Sequence, residues 1–107
     1  MTDTEALKAE VIARLKEIYD PEIPLNIYEL GLIYGIDIEE TPEGVLCRIT
    51  MTLTAPGCPV SEVLVGQVQS IAALVEGIDA VVLDLVFDPP WSEARISYEG
   101  KLALGLL

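Results

Sequence analysis

The sequence TAPGCP at residues 54–59 decides the fold, because it joins a strand to a helix and carries a cysteine at the junction. Residues 45–54 alternate apolar and polar side chains, as in a half-buried strand, and residues 60–75 carry apolar side chains at helical spacing. Pro59 suits the first position of a helix, where a missing N–H costs nothing. Cys58 is therefore predicted at or beside the N-cap, where unpaired N–H groups and the helix dipole favour a thiolate. A thiolate is a nucleophile or a metal ligand.

The flanking sequence predicts the remaining elements. A first helix, capped by Asp3 or Thr4, is expected to run to about Tyr19 and to stop at the Asp-Pro pair that follows. The strand at 80–87 carries apolar side chains on both faces, so it is expected to be covered on both sides. The other elements are a strand at 32–39, a hairpin turn at 41–44, and a last helix that Ser97 caps and Gly105 ends.

The element order α-β-β-α-β-α predicts the fold class. It favours a single α+β domain over residues 1–107, because a chain of this length supports one core but not two. The economical arrangement has two layers, with helices packed on one face of a small three-stranded sheet that is mixed or antiparallel.

Composition narrows the chemistry of the cysteine. The chain has no histidine, which excludes a Cys-His catalytic pair and a zinc site of two cysteines and two histidines. Of its two cysteines, Cys47 lies in an apolar row of its strand and is expected to be a buried core residue. Trp91 is expected to cover the core as a hydrophobic lid, with an exposed partner anchor as the alternative.

Net charge restricts the classes of partner that the protein is expected to bind. The formal net charge is −12, from 18 acidic and 6 basic residues, so nucleic acid and anionic membranes would be repelled. The N-terminus lacks a secretion signal, and no apolar run approaches the roughly 20 residues that span a bilayer, so a cytoplasmic protein with no membrane partner is expected. The abundant aliphatic residues indicate either an apolar interaction surface or surface side chains scattered over a stable monomer.

Four motifs resemble those of a known family. They are DPEIP at 20–24, LGLI at 30–33, TLTAPGCP at 52–59 and DPPW at 88–91, and they span nearly the whole chain. In this order and spacing they resemble the SufT/PaaD/MIP-eighteen-like family of small iron-sulfur assembly proteins. One departure is SEARI at 92–96, where relatives often carry a Pro-Asp/Glu-Met type of sequence.

The resemblance implies a compact domain of the iron-sulfur cluster assembly type that assembles clusters or delivers them to apo-proteins. Cys58 falls at the position of the family's functional cysteine and is expected to bind metal or cluster. Asp20 and Glu22 fall in a loop where the family groups polar residues and are expected to assist metal binding, while Thr52 and Thr54 are expected to support the thiol. The alternatives are structural, because Asp before Pro forms turns and threonine favours strands.

The number of ligands limits how a cluster is held. An iron-sulfur cluster usually takes four protein ligands, mostly cysteine thiolates, and this chain offers one good candidate. We therefore expect a non-enzymatic factor whose cluster is transient or shared between chains, with a homodimer and with scaffold or client apo-proteins as partners. One alternative is a non-catalytic adaptor subunit of a larger metal-dependent oxygenase or assembly complex. Another is a thiol enzyme that borrows its base from a partner or substrate.

Overall fold

The computed structural model describes residues 3–20, 23–54 and 59–106, and it confirms the predicted α+β class and element order. A short 3-10 turn at Glu93–Arg95 precedes the last helix. The elements are α1 (Thr4–Leu15), β1 (Ile33–Thr41), β2 (Gly44–Met51), α2 (Pro59–Ala73), β3 (Ala80–Leu85) and α3 (Tyr98–Leu104). No helix in these ranges is both long and apolar enough to cross a bilayer.

The helix boundaries follow local signals in most cases. The Asp3 carboxylate caps α1 by accepting from the Ala6 N–H at 3.0 Å, and α2 begins at Pro59 as predicted. The Ser97 hydroxyl accepts from the Gly100 N–H at 2.9 Å, and α3 ends at Gly105, which is left-handed at φ 76°.

The predicted end of α1 near Tyr19 is wrong. The helix ends at Leu15, and the Ile18 N–H donates to the Leu15 carbonyl at 3.1 Å in a tightened last turn. Tyr19 instead pairs with Asn26 in an isolated antiparallel bridge. The chain leaves the helix because its next residues pair with the far side of their own loop.

The sheet is mixed and has the order β1-β2-β3. Strand β2 is central, antiparallel to β1 and parallel to β3, and α2 makes the connection between the two parallel strands. Helix α1 contacts β1 and α2, and α2 contacts β3, so these two helices form the second layer. The core between the layers contains Val11, Leu15, Ile36, Cys47, Ile49, Met51, Leu64, Val68 and Ala72.

The prediction that β3 is covered on both sides is wrong. Val81 and Leu83 pack against the core, but Val82 and Asp84 lie on the other face and are exposed. The Asp84 carboxylate lies 3.6 Å from the Arg48 guanidinium of β2 on this face. An edge strand in a two-layer domain has one face without a covering layer, whatever side chains it carries there.

The buried position predicted for Cys47 is confirmed, and burial gives its thiol an unusual pKa. The side chain is fully buried, and loss of hydration raises the pKa of the thiol from 9.0 to about 11. The neutral thiol is therefore the form present at neutral pH, and Cys47 is a structural residue.

This pKa shift predicts a loss of stability at alkaline pH. Because the folded-state pKa is raised, the contribution of Cys47 is fully present below the unfolded pKa near 9 and is lost as pH rises towards about 11. We expect the free energy of unfolding to fall by roughly 1 kcal/mol per pH unit in this window. Urea titrations of the native protein and of Cys47→Ala over this pH range measure the effect, because the two proteins share every other ionisable group. Parallel pH profiles for the two proteins would contradict the assignment.

Candidate functional site

Three of the four motifs meet at one end of the sheet, held by backbone hydrogen bonds. The Thr52 N–H donates to the Leu32 carbonyl at 2.9 Å, which joins the end of β2 to the segment before β1. The Trp91 indole Nε1 donates to the Leu30 carbonyl at 2.8 Å, across a sequence separation of 61 residues. The segments LGLI, TLT and DPPW are therefore neighbours in the fold.

The loop of the first motif joins the same network. The Ile27 N–H donates to the Ile18 carbonyl at 2.9 Å, and the Leu32 N–H donates to the Ile27 carbonyl at 3.2 Å. The Asp20 N–H donates to the Leu25 carbonyl at 3.2 Å, so the loop closes on itself. A continuous ladder thus runs from Thr52 through Leu32 and Ile27 to the residue two positions before Asp20.

Asp20 is buried at this end of the molecule, with 6% of its surface exposed. Its Oδ1 accepts from the Ile23 N–H at 3.0 Å, as in a turn that an aspartate side chain closes. The turn-forming role considered for Asp20 is therefore present, and its metal-binding role stays a prediction. The other two predicted ligands, Cys58 and Glu22, lie outside the described residues.

Thr52 is the second polar residue buried here, with 1% of its surface exposed. Its Oγ1 has no hydrogen-bond partner within the part of the chain that the structure describes. A buried hydroxyl that finds no partner costs roughly 1–3 kcal/mol. Thr54 is half-buried two residues further on, and residues 55–58 follow it.

We expect Thr52→Val to separate stability from activity. Valine keeps the shape of threonine and removes the unpartnered hydroxyl, so the free energy of unfolding should rise by about 1 kcal/mol. If the hydroxyl supports the thiol, the same variant should lose maturation activity. Thr50→Val is the matched control, because Thr50 is half-buried one position before the last residue of β2. A Thr52→Val variant that is less stable and fully active would contradict both expectations.

The lid predicted for Trp91 is confirmed, since its ring packs against the core while its N–H is bonded to Leu30. Two residues that sequence reasoning missed hold the segment around it. The Tyr34 hydroxyl donates to the Pro89 carbonyl at 2.8 Å, and the Arg95 guanidinium lies 4.5 Å from the centre of the Tyr34 ring. Each of these two contacts joins residues that are 55 or more positions apart, so no local sequence pattern predicts the contact.

The donor atoms of the residues that the structure describes do not by themselves form a metal site at this end. Within residues 3–20, 23–54 and 59–106, no group of three or more cysteine, aspartate or glutamate side chains could hold a metal ion. Cys47 is fully buried in the core and is not available. Cys58 and Glu22, with Asp20, remain the predicted donors, and three donors are fewer than the four ligands of a cluster.

Comparison with known proteins gives the family. The model of a family described as iron-sulfur cluster assembly protein matches residues 8–83. The chain belongs to this iron-sulfur cluster assembly family. The resemblance of the four motifs to the SufT/PaaD-like proteins is therefore confirmed.

Individual relatives agree over nearly their whole lengths. The chain is 41% identical over 98 residues to an Fe-S protein maturation auxiliary factor of Porphyromonas gingivalis, covering 92% of this chain and 90% of that protein. It is 37% identical over 102 residues to the Fe-S protein maturation auxiliary factor YitW of Bacillus subtilis, covering 95% and 97%. A crystal structure of a domain of unknown function from Bacillus anthracis matches with a TM-score of 0.83 at 33% identity, covering 97% and 96%.

Proposed function

We propose that this protein is a factor for the assembly of iron-sulfur clusters or their delivery to apo-proteins, acting through the Cys58 thiolate. Asp20 and Glu22 are the proposed auxiliary metal donors, and Thr52 and Thr54 the supporting hydroxyls. The meeting of the LGLI, TLT and DPPW segments beside the end of β2, with the loop of Asp20 linked to them through Ile27, supports this most directly. In the sequence, residues 55–58 stand between the end of β2 and the start of α2, and Cys58 is the last of them.

The cluster is proposed as cargo that is held transiently or shared between two chains. The proposed donors, one thiolate and two carboxylates, leave at least one ligand to be supplied by a second copy, a partner or a small thiol. A homodimer would supply the missing donors by symmetry, because each chain brings the same set. Scaffold proteins and client apo-proteins are the proposed partners, and the cytoplasm the proposed location.

The proposed role is that of a maturation factor rather than an enzyme. The Porphyromonas gingivalis and Bacillus subtilis relatives, which the chain covers over nine-tenths or more of their length, are named maturation auxiliary factors. That favours cluster maturation over an adaptor subunit of a metal-dependent oxygenase. A thiol enzyme with a borrowed base has no support beyond the cysteine itself.

Anaerobic reconstitution tests the proposal. The protein is incubated with ferrous iron and sulfide, and the visible absorption of the mixture is followed before and after gel filtration. An apo-client enzyme is then added, and recovery of its cluster-dependent activity is timed with and without the protein. Absorption that elutes with the protein and faster recovery of the client are the expected results. A client that recovers at the same rate in both mixtures would remove the proposed function.

Sedimentation of the same samples distinguishes a cluster that is shared between two chains from a cluster that is held transiently. A dimer that appears with the visible absorption supports sharing between chains. A monomer that carries the visible absorption would indicate that a partner or a small thiol completes the ligand set. A monomer that accelerates recovery of the client without carrying the absorption would indicate transient binding.

A further inference from the structure

A groove runs between two parts of the chain, the end of α1 with the residues that follow it and the second half of α2 with the residues that follow it. It consists of two adjoining cavities of about 670 and 370 Å³, which share the side chains of Glu17, Ile71 and Leu74 as walls. Tyr19 lines only the smaller cavity and Glu76 only the larger one. We call this surface the α1–α2 groove.

The α1–α2 groove exposes two large apolar side chains in a concave surface. Leu74 is 82% exposed and Tyr19 is 61% exposed, while Ile18 and Val75 behind them are buried in the core. The apolar wall is thus continuous with the core and open to water on one side. Such a patch inside a concave surface is typical of a protein interaction site.

The rim of the groove is acidic. Glu10, Glu17 and Glu76 contribute three carboxylates against the single guanidinium of Arg14. Arg14 is already paired, with its guanidinium nitrogens 2.9 Å from the Glu10 carboxylate and 3.4 Å from the Glu17 carboxylate. An occupant therefore meets an apolar floor and a net negative rim, on a chain whose formal net charge is −12.

We propose that the α1–α2 groove docks an amphipathic helix of a partner protein, with apolar residues facing the floor and lysines or arginines facing the rim. A trough between two helices suits a third helix laid along it, and the excess of carboxylates selects a basic one. A second copy of this chain fits poorly, because it brings 18 acidic and 6 basic residues to an acidic rim. The inference does not rest on the cluster role of Cys58.

A designed peptide tests the proposal on the intact protein. The probe is a fluorescein-labelled helical peptide of about 14 residues, roughly 21 Å long, with leucines on one face and lysines on the other. A second peptide with glutamate in place of every lysine is the charge control. Fluorescence anisotropy should show saturable binding of the lysine peptide and none of the glutamate peptide.

Two pairs of variants locate the binding site. Leu74→Ser and Glu76→Lys change the groove, and each should weaken binding roughly tenfold, as truncation of a central contact does. Leu102→Ser changes a side chain of α3 that is 52% exposed, and Glu43→Lys makes the same charge change as Glu76→Lys in the β1–β2 turn. These controls should stay within about twofold of the unmodified protein, since they lie outside the groove.

The controls also decide against the proposal if it is wrong. If Glu43→Lys weakens peptide binding as much as Glu76→Lys does, the peptide responds to the overall charge of the protein. If Leu102→Ser weakens binding as much as Leu74→Ser does, the peptide binds outside the groove. If the unmodified protein sediments as a homodimer and the Leu74→Ser variant as a monomer, the occupant of the groove is a second copy of the chain. Absence of saturable binding would overturn the proposal outright.

Discussion

Replacing Gly31 by alanine is expected to destabilise the protein by roughly 2–5 kcal/mol. Gly31 has φ 86°, a backbone conformation that costs a residue with a Cβ about 1–2 kcal/mol. An added Cβ would also collide with the backbone carbonyl oxygen of Arg95 and would lie 2.8 Å from its carbonyl carbon. Backbone cannot rotate away as a side chain can, so the loop or the 3-10 turn must shift.

Gly105→Ala is the matched control for this prediction. Gly105 also has a left-handed conformation, at φ 76°, but an added Cβ meets nothing within 4 Å. Its replacement should cost only about 1 kcal/mol, from the backbone term alone. Urea titrations measure the free energy of unfolding of both variants, and the difference between them is the cost of the collision with Arg95. Equal decreases in the two variants would mean that the segment around Arg95 shifts without cost.

The Gly31 contact also bears on the site. Leu30 accepts from the Trp91 indole and Leu32 accepts from the Thr52 N–H, on either side of Gly31. The glycine therefore lets three distant motifs approach one another. A Gly31→Ala variant that is still folded at low temperature should show reduced client maturation there.

Local signals made most of the fold predictable from the sequence. The Asp3 cap, Pro59 at the start of α2, and the Ser97 and Gly105 boundaries of α3 each depend on residues within four positions along the chain. The alternating pattern of β2 likewise identified Cys47 as core without reference to other strands. Such features are fixed before tertiary contacts form, which is why they could be predicted.

Features that depend on distant partners could not be predicted in this way. The end of α1 is set by the pairing of Tyr19 with Asn26, and the open face of β3 is set by the packing of the helices on the other face of the sheet. The buried hydroxyl of Thr52, which has no partner among the described residues, and the exposed Leu74 follow from packing across the domain. The residue types indicated which side chains could be functional, but only the folded structure shows which groups lie around each of them.

Replacing Cys58 by serine is expected to abolish cluster maturation while keeping the fold. Serine retains the size of the side chain but its hydroxyl does not ionise near neutral pH, so it offers neither the soft ligand nor the nucleophile that a thiolate provides. Recovery of an apo-client should fall to the rate without the protein. The free energy of unfolding should change by less than about 1 kcal/mol, as for a typical surface substitution.

Cys47→Ser is the control with the opposite expectation. Cys47 is fully buried among apolar side chains, so a hydroxyl there should cost roughly 1–3 kcal/mol of stability. At temperatures where the variant is folded, maturation should continue at the normal rate. Thiol labelling of the native protein completes the contrast, since the raised pKa and burial of Cys47 should leave Cys58 as the reactive group. Rapid labelling at Cys47, or a Cys58→Ser variant that still matures clients, would show that the functional group lies elsewhere.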